Sequence, residues 1–125
     1  MNIYSYLARF EDTLRSRQDT NLEFLNLAIT TMGVLLQSRL RLYDGSVLII
    51  SEELEMIDKR QFHRQAYSYH YQKEDGTLVF RYDNSPHYPR LASFPDHKHV
   101  ESSVIESSAP DLIEVLKEID GLIYR

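Results

Sequence analysis

The chain has no cysteine and no tryptophan, and only four glycines and four prolines among its 125 residues. The missing thiol removes disulfides, thiolate zinc sites, iron–sulfur clusters and cysteine nucleophiles together. Packing must therefore stabilise the fold, and any metal would have to sit on histidine and carboxylate. The glycines stand far apart at positions 33, 45, 76 and 121, which excludes the glycine-rich phosphate loops of nucleotide-binding proteins. The serines lack a nucleophile-elbow context. No apolar run approaches the roughly 18 residues that a membrane-spanning helix needs. The start, Met1-Asn2-Ile3-Tyr4-Ser5, has neither the basic nor the apolar region of a signal peptide. No membrane is expected as a partner, and the cytoplasm is the expected location.

What is present fits one domain spanning residues 1–125. With 42% hydrophobic and 26% charged residues, the composition is that of an ordinary globular chain. The net charge of -5 is unevenly spread. Residues 60–99 carry six basic groups against four acids and contain all five histidines, so the rest of the chain carries the acidity. A net-acidic chain does not adhere nonspecifically to nucleic acid, but a local basic, histidine-rich surface can still hold phosphate.

Ile3, Leu7, Phe10 and Leu14 step by four, three and four, which predicts an amphipathic helix over residues 2–17. A strand over about Leu22 to Thr30 follows. Two β-rich runs between Gly33 and Asp58 are joined by Asp44-Gly45, a type I′ hairpin signal that would set Leu42 opposite Val47 and Leu40 opposite Ile49. A second hairpin pairs Phe62–Gln72 with Thr77–Asp83 around Lys73-Glu74-Asp75-Gly76. A two- or four-residue loop puts Tyr67, Tyr69, Tyr71, Leu78, Phe80 and Tyr82 on one face and Ser68, His70, Gln72, Val79, Arg81 and Asp83 on the other, whereas a three-residue loop would break that division. Residues 84–109 show no clear period and hold three of the prolines, which marks a functional loop. Ser108-Ala109-Pro110-Asp111 then caps a last helix with Leu112, Ile113, Val115, Leu116 and Ile119 at helical spacing. The expected fold is α+β: an antiparallel β-meander of about five strands with N-terminal and C-terminal helices.

Chemistry concentrates in Phe80-Arg81-Tyr82-Asp83-Asn84-Ser85-Pro86-His87 and Phe94-Pro95-Asp96-His97-Lys98-His99. Three readings compete. In the first, two imidazoles cleave an RNA phosphodiester, one as base toward the 2′-hydroxyl and one as acid toward the 5′-oxygen, with Arg81 or Lys98 stabilising the phosphorane. In the second, His97 and His99, which point to the same side if Asp96 to Val100 is extended, join His87 or His70 and a carboxylate around a metal ion, although a His-x-His pair is a weak signal by itself. In the third, the basic loop and the tyrosines bind without turnover. The plainer alternatives are an ordinary surface ion pair for Arg81 and Asp83, sheet core for the Tyr67, Tyr69, Tyr71 ladder, and a solvated strand end for Glu52, Glu53 and Glu55.

The ordered combination of Leu40-Arg41-Leu42-Tyr43-Asp44-Gly45-Ser46, Tyr69-His70-Tyr71, Asp75-Gly76, Phe80-Arg81-Tyr82-Asp83-Asn84, Pro86-His87 and Pro95-Asp96-His97-Lys98-His99 resembles the TumE family of small prokaryotic proteins. The resemblance runs from about Arg39 to the C-terminus. It implies the toxin half of a toxin–antitoxin pair, held inactive in the cytoplasm by a cognate antitoxin with a helix-turn-helix domain, and acting on RNA metabolism. It does not assign catalytic residues, which rest on chemistry alone. The expected activity is a metal-independent endoribonuclease with no cofactor. Its catalytic candidates are His97, His99, His87, His70 and Asp83, and its substrate-binding candidates are Arg81, Lys98, Arg90 and Tyr82. A noncatalytic toxin that binds nucleic acid or protein, and a His/carboxylate metal-dependent hydrolase, are the alternatives; a homodimer is left open.

Overall fold

The structure is a computed structural model that describes residues 1–124. Helix α1 (Ile3–Arg15) leads into seven strands, β1 (Thr20–Ile29), β2 (Gly33–Leu42), β3 (Val47–Met56), β4 (Phe62–Gln72), β5 (Leu78–Asp83), β6 (His97–Val100) and β7 (Ser103–Glu106), and α2 (Leu112–Ile123) closes the chain. Every strand pairs antiparallel with its sequence neighbour, giving one open sheet in chain order. The α+β meander with terminal helices is as expected, with seven strands rather than five. The extra two, β6 and β7, are four-residue strands inside the segment expected to be a loop. His97 and His99 occupy one side of β6, so no apolar alternation announces it.

Both helices pack on one sheet face. Phe10 and Leu14 of α1 and Leu112, Val115, Leu116 and Ile119 of α2 share a single buried cluster with Leu36, Leu40, Leu48, Ile50, Tyr69, Tyr71 and Phe80. Each fully buried aliphatic side chain contributes on the order of 1.5–3 kcal/mol. Local capping fits the same plan. The Asn2 side chain accepts from Ser5 N at the start of α1, and Asp111 and Glu114 form a reciprocal capping box on α2, together worth roughly 1 kcal/mol per cap.

Turn chemistry decides which residues face the helices. Between β2 and β3, Leu42 N donates to Ser46 O at 2.8 Å and Gly45 N to Leu42 O at 3.0 Å. The loop is thus the three residues Tyr43-Asp44-Gly45, with Gly45 left-handed at φ +86°. Leu40 pairs with Leu48, one residue away from the expected register. This correction matters because a one-residue slip exchanges faces: the observed register puts Leu40, Leu42, Leu48 and Ile50 together, all buried.

The β4–β5 turn also has a three-residue loop, Glu74-Asp75-Gly76, closed by Lys73 N to Thr77 O at 2.8 Å. The expected faces are restored beyond the turn, except that Leu78 and Val79 exchange them: Leu78 pairs with Gln72, and Val79 packs against the helix-side core. The register shifts between Tyr71 and Gln72, with Val79 as the extra residue, so Tyr69 meets Tyr82 and Tyr71 meets Phe80. The tyrosine ladder is core: Tyr67, Tyr69 and Tyr71 are all buried. Glu52 departs from its expected place at a solvated strand end. Only 1% exposed, it points under α1 and accepts hydrogen bonds from Tyr6 and Tyr69, with Arg64 3.5 Å away.

Candidate active site

The face without helices carries His70, Arg81, Asp83, His97 and His99, and strand register lays them out as a grid. His70 on β4, Arg81 on β5 and His99 on β6 are successive cross-strand partners. Ser68, Asp83 and His97 form the adjacent row. Neighbouring strands lie about 4.8 Å apart, so side chains of one row touch or nearly touch.

Asp83 is the hub. Its Oδ1 accepts from Ser85 N at 3.0 Å and lies 2.8 Å from His97 Nε2. Its Oδ2 accepts from Arg81 Nε at 2.9 Å and lies 3.7 Å from His99 Nε2. Burial pushes the Asp83 carboxyl up, but the Ser85 N–H, Arg81 and His97 outweigh it and hold the group below the usual carboxylate range.

His97 is almost fully enclosed, at 1% exposure. Its Nδ1 lies 2.9 Å from Pro95 O. A carbonyl only accepts, so Nδ1 carries a proton and Nε2 is the atom turned toward Asp83. That Nε2 has no aligned hydrogen bond despite the short approach. The ring of Tyr88 packs edge-on to His97 at 4.8 Å and to His99 at 5.8 Å, closing the loop of residues 84–96 over the pair. The loop is pinned at both ends: Asn84 bridges Tyr67 N and Gln65 O, and Tyr67 Oη donates to Asp96 Oδ1 at 2.8 Å.

The accessible part of the cluster is His70, Arg81 and His99. Arg81 Nη1 lies 3.4 Å from His70 Nδ1. A guanidinium only donates, so Nδ1 accepts and the proton resides on Nε2, which donates to Gln72 Oε1 at 3.0 Å. Burial pushes the His70 pKa down and Arg81 adds to that, against the Gln72 hydrogen bond. For His99, burial again lowers the pKa and prevails over the pull of Asp83. A groove of about 420 Å³ runs beside Arg81 and Asp83, between Ser51, Glu53, Ser68 and Pro86.

Four expected site residues lie elsewhere. Lys98 and Tyr82 are cross-strand partners on the helix face, where Glu118 of α2 takes Lys98 Nζ at 2.7 Å and the Tyr82 hydroxyl at 2.5 Å. Alternation along β6 sends Lys98 away from His97 and His99, so the sheet separates it from Asp83. His87 and Arg90 are exposed on the 84–96 loop, outside the cluster. Sequence reasoning missed Tyr88, the Ser85 N–H and the Pro95 carbonyl, which act through loop packing and backbone groups. The ligand-type atoms of Asp83, His97 and His99 lie within 4.8 Å of one another, the one such group among the described residues.

These features define a small α+β protein whose open sheet face presents a cation and two imidazoles around a buried carboxylate, a site suited to an anionic ligand. Residues 8–123 match the family model described as Toxin TumE, nearly the whole chain, and the chain belongs to that family of toxins. No curated protein and no solved structure matches it. No helix among the described residues is long and apolar enough to cross a membrane.

Proposed function

We propose that this toxin is an endoribonuclease working by histidine acid–base chemistry, without a metal, at the row His70, Arg81, His99. The observation that carries it is this cross-strand row, which sets a guanidinium between two accessible imidazoles. A scissile phosphate seated on Arg81 has one ring on either side. His70, whose unprotonated Nδ1 is released when the phosphate draws Arg81 Nη1 to itself, takes the proton from the 2′-hydroxyl. The 2′-oxygen attacks phosphorus and the bond to the 5′-oxygen breaks. His99, entering the step in its protonated form, supplies that oxygen with a proton, leaving a 2′,3′-cyclic phosphate and a 5′-hydroxyl. Arg81 stabilises the charge that develops on the phosphorane. Asp83 orients Arg81 through Oδ2 and holds the Ser85 N–H through Oδ1, while His97, fixed by the Pro95 carbonyl, acts as a support for the loop. Arg90 and His87 extend the phosphate-binding surface along the strand of RNA.

The restraint on this activity is proposed to be a helix-turn-helix antitoxin in the cytoplasm that lays acidic groups over Arg81 and Arg90. Purified chain incubated with RNA, with and without EDTA, tests the catalytic reading. Cleavage that persists in EDTA, leaves cyclic phosphate ends and disappears in His70→Gln and His99→Gln is expected. Growth inhibition with no new RNA 5′ ends would replace it with a noncatalytic, binding toxin.

A further inference from the structure

His97 Nε2 is one of three buried side-chain atoms among the described residues that lack a hydrogen-bond partner. It lies 2.8 Å from a carboxylate oxygen without being aligned with it, while the same ring's Nδ1 is fixed by the Pro95 carbonyl. A buried nitrogen without an aligned donor or acceptor is costly, and an imidazole anchored through one nitrogen with the other presented to a carboxylate and a second imidazole is the arrangement metal ligands adopt. We propose that Asp83, His97 and His99 bind a single divalent transition-metal ion of the zinc class, a site that goes beyond the cleavage chemistry and stands on geometry alone.

The donor set is two imidazole nitrogens and one carboxylate oxygen. It favours a borderline ion such as Zn²⁺ over Mg²⁺, which wants oxygen ligands, and leaves a fourth position for water. The three donor atoms lie within 4.8 Å of one another. A tetrahedral ion with ligands about 2.1 Å away needs them roughly 3.4 Å apart, so adjustments on the order of an ångström suffice. The outer partners are in place: Pro95 O on His97 Nδ1 and Tyr88 shielding both rings. With Arg81 retaining Oδ2, the ion takes Oδ1.

His70 and His87 are not ligands. Arg81 stands between His70 and the other donors, and His87 is exposed outside the cluster. The nearby guanidinium repels the ion, so its removal should tighten binding, the opposite of what a merely structural residue would do. Coordination would also engage His99, so added Zn²⁺ should suppress any cleavage that uses His99 as an acid.

Calorimetric titration of metal-free full-length chain with ZnCl₂, in the absence of RNA, tests the site independently of the cleavage reading. One ion per chain is expected. Affinity should fall at least about 100-fold in Asp83→Asn and in His99→Ala, stay within about threefold in His87→Ala, and rise about tenfold in Arg81→Gln. Co²⁺ should give a visible ligand-field band that Zn²⁺ displaces and Mg²⁺ does not. Circular dichroism confirms that each variant is folded, and His99→Gln serves if His99→Ala is not. Absence of saturable uptake by the folded wild type, or uptake that survives both ligand substitutions, would overturn the site.

Discussion

Lys98 Nζ lies 2.7 Å from Glu118 Oε2 beneath α2, and its ammonium sits over the rings of Tyr82 and Phe80 at 4.8 and 5.3 Å. Burial pushes the Lys98 pKa down, but Glu118 and Tyr82 reverse this and raise it overall. The side chain is therefore a tie between sheet and helix, on the face opposite Asp83. Lys98→Ala is expected to destabilise the chain by about 1–2 kcal/mol, from the lost partner of a half-buried carboxylate and the lost cation–π contact. RNA cleavage should be unchanged. Urea unfolding together with a cleavage assay checks both parts, and a selective loss of cleavage would return Lys98 to the site.

The fate of Lys98 shows where sequence reasoning reached its limit. Helix spacing in α1 and α2 and the alternating tyrosines of β4 gave the elements and the core, because burial imposes its period on apolar residues. His70, Arg81 and Asp83 fall on a common face as expected because the bulge at Val79 restores the parity that the three-residue loop breaks. The β2–β3 register could not be read, since Asp44-Gly45 serves both two- and three-residue loops. Strand β6 was hidden because its alternating residues are titratable rather than apolar. An extended stretch over Asp96 to Val100 puts His97 and His99 on one side, and the same pleat sends Lys98 to the other, which the grouping of all three in one site overlooked.

His70 supplies a pH-dependent contribution. Its folded pKa lies below the ordinary histidine value, first through burial and then through Arg81. As pH falls below about 6.5, the unfolded chain binds this proton before the folded chain does. Stability thus rises with pH across that window, is fully present above it, and is lost on acidification through the folded pKa. His70→Gln should flatten the slope of unfolding free energy between about pH 5 and 7 relative to wild type. Equal slopes in urea titrations of the two proteins would contradict a buried, Arg81-facing imidazole.

Glu52 is a carboxylate inside the core whose charge is balanced by the hydroxyls of Tyr6 and Tyr69 and by Arg64. Tyr69→Phe keeps the ring and removes one donor, so it should cost about 2 kcal/mol. Tyr6→Phe should cost a similar amount, and the double variant should depart from additivity because both donors serve one group. Burial first, then Glu52, holds both phenols protonated well beyond the ordinary tyrosine range. The unfolded chain releases these protons near pH 10 and the folded one does not, so stability should fall as pH rises above that point. Chemical denaturation of the four proteins at neutral and alkaline pH measures each term.

Arg81 separates the charge requirement of cleavage from its geometry. Its Nε is committed to Asp83 Oδ2 and Nη1 faces His70, so the guanidinium plane is fixed from two sides. Lysine preserves the positive charge but has neither the planar fork nor the means to hold Asp83 and a phosphate together. Arg81→Lys is expected to lower kcat by about 10²-fold with a small change in KM, since a fixed donor to the phosphorane acts mainly in the transition state. Arg81→Gln, without the charge, should also raise KM. A kcat retained in Arg81→Lys, measured on a short RNA under single-turnover conditions, would mean that the cation only attracts substrate and that the His70, Arg81, His99 row is not the catalytic array.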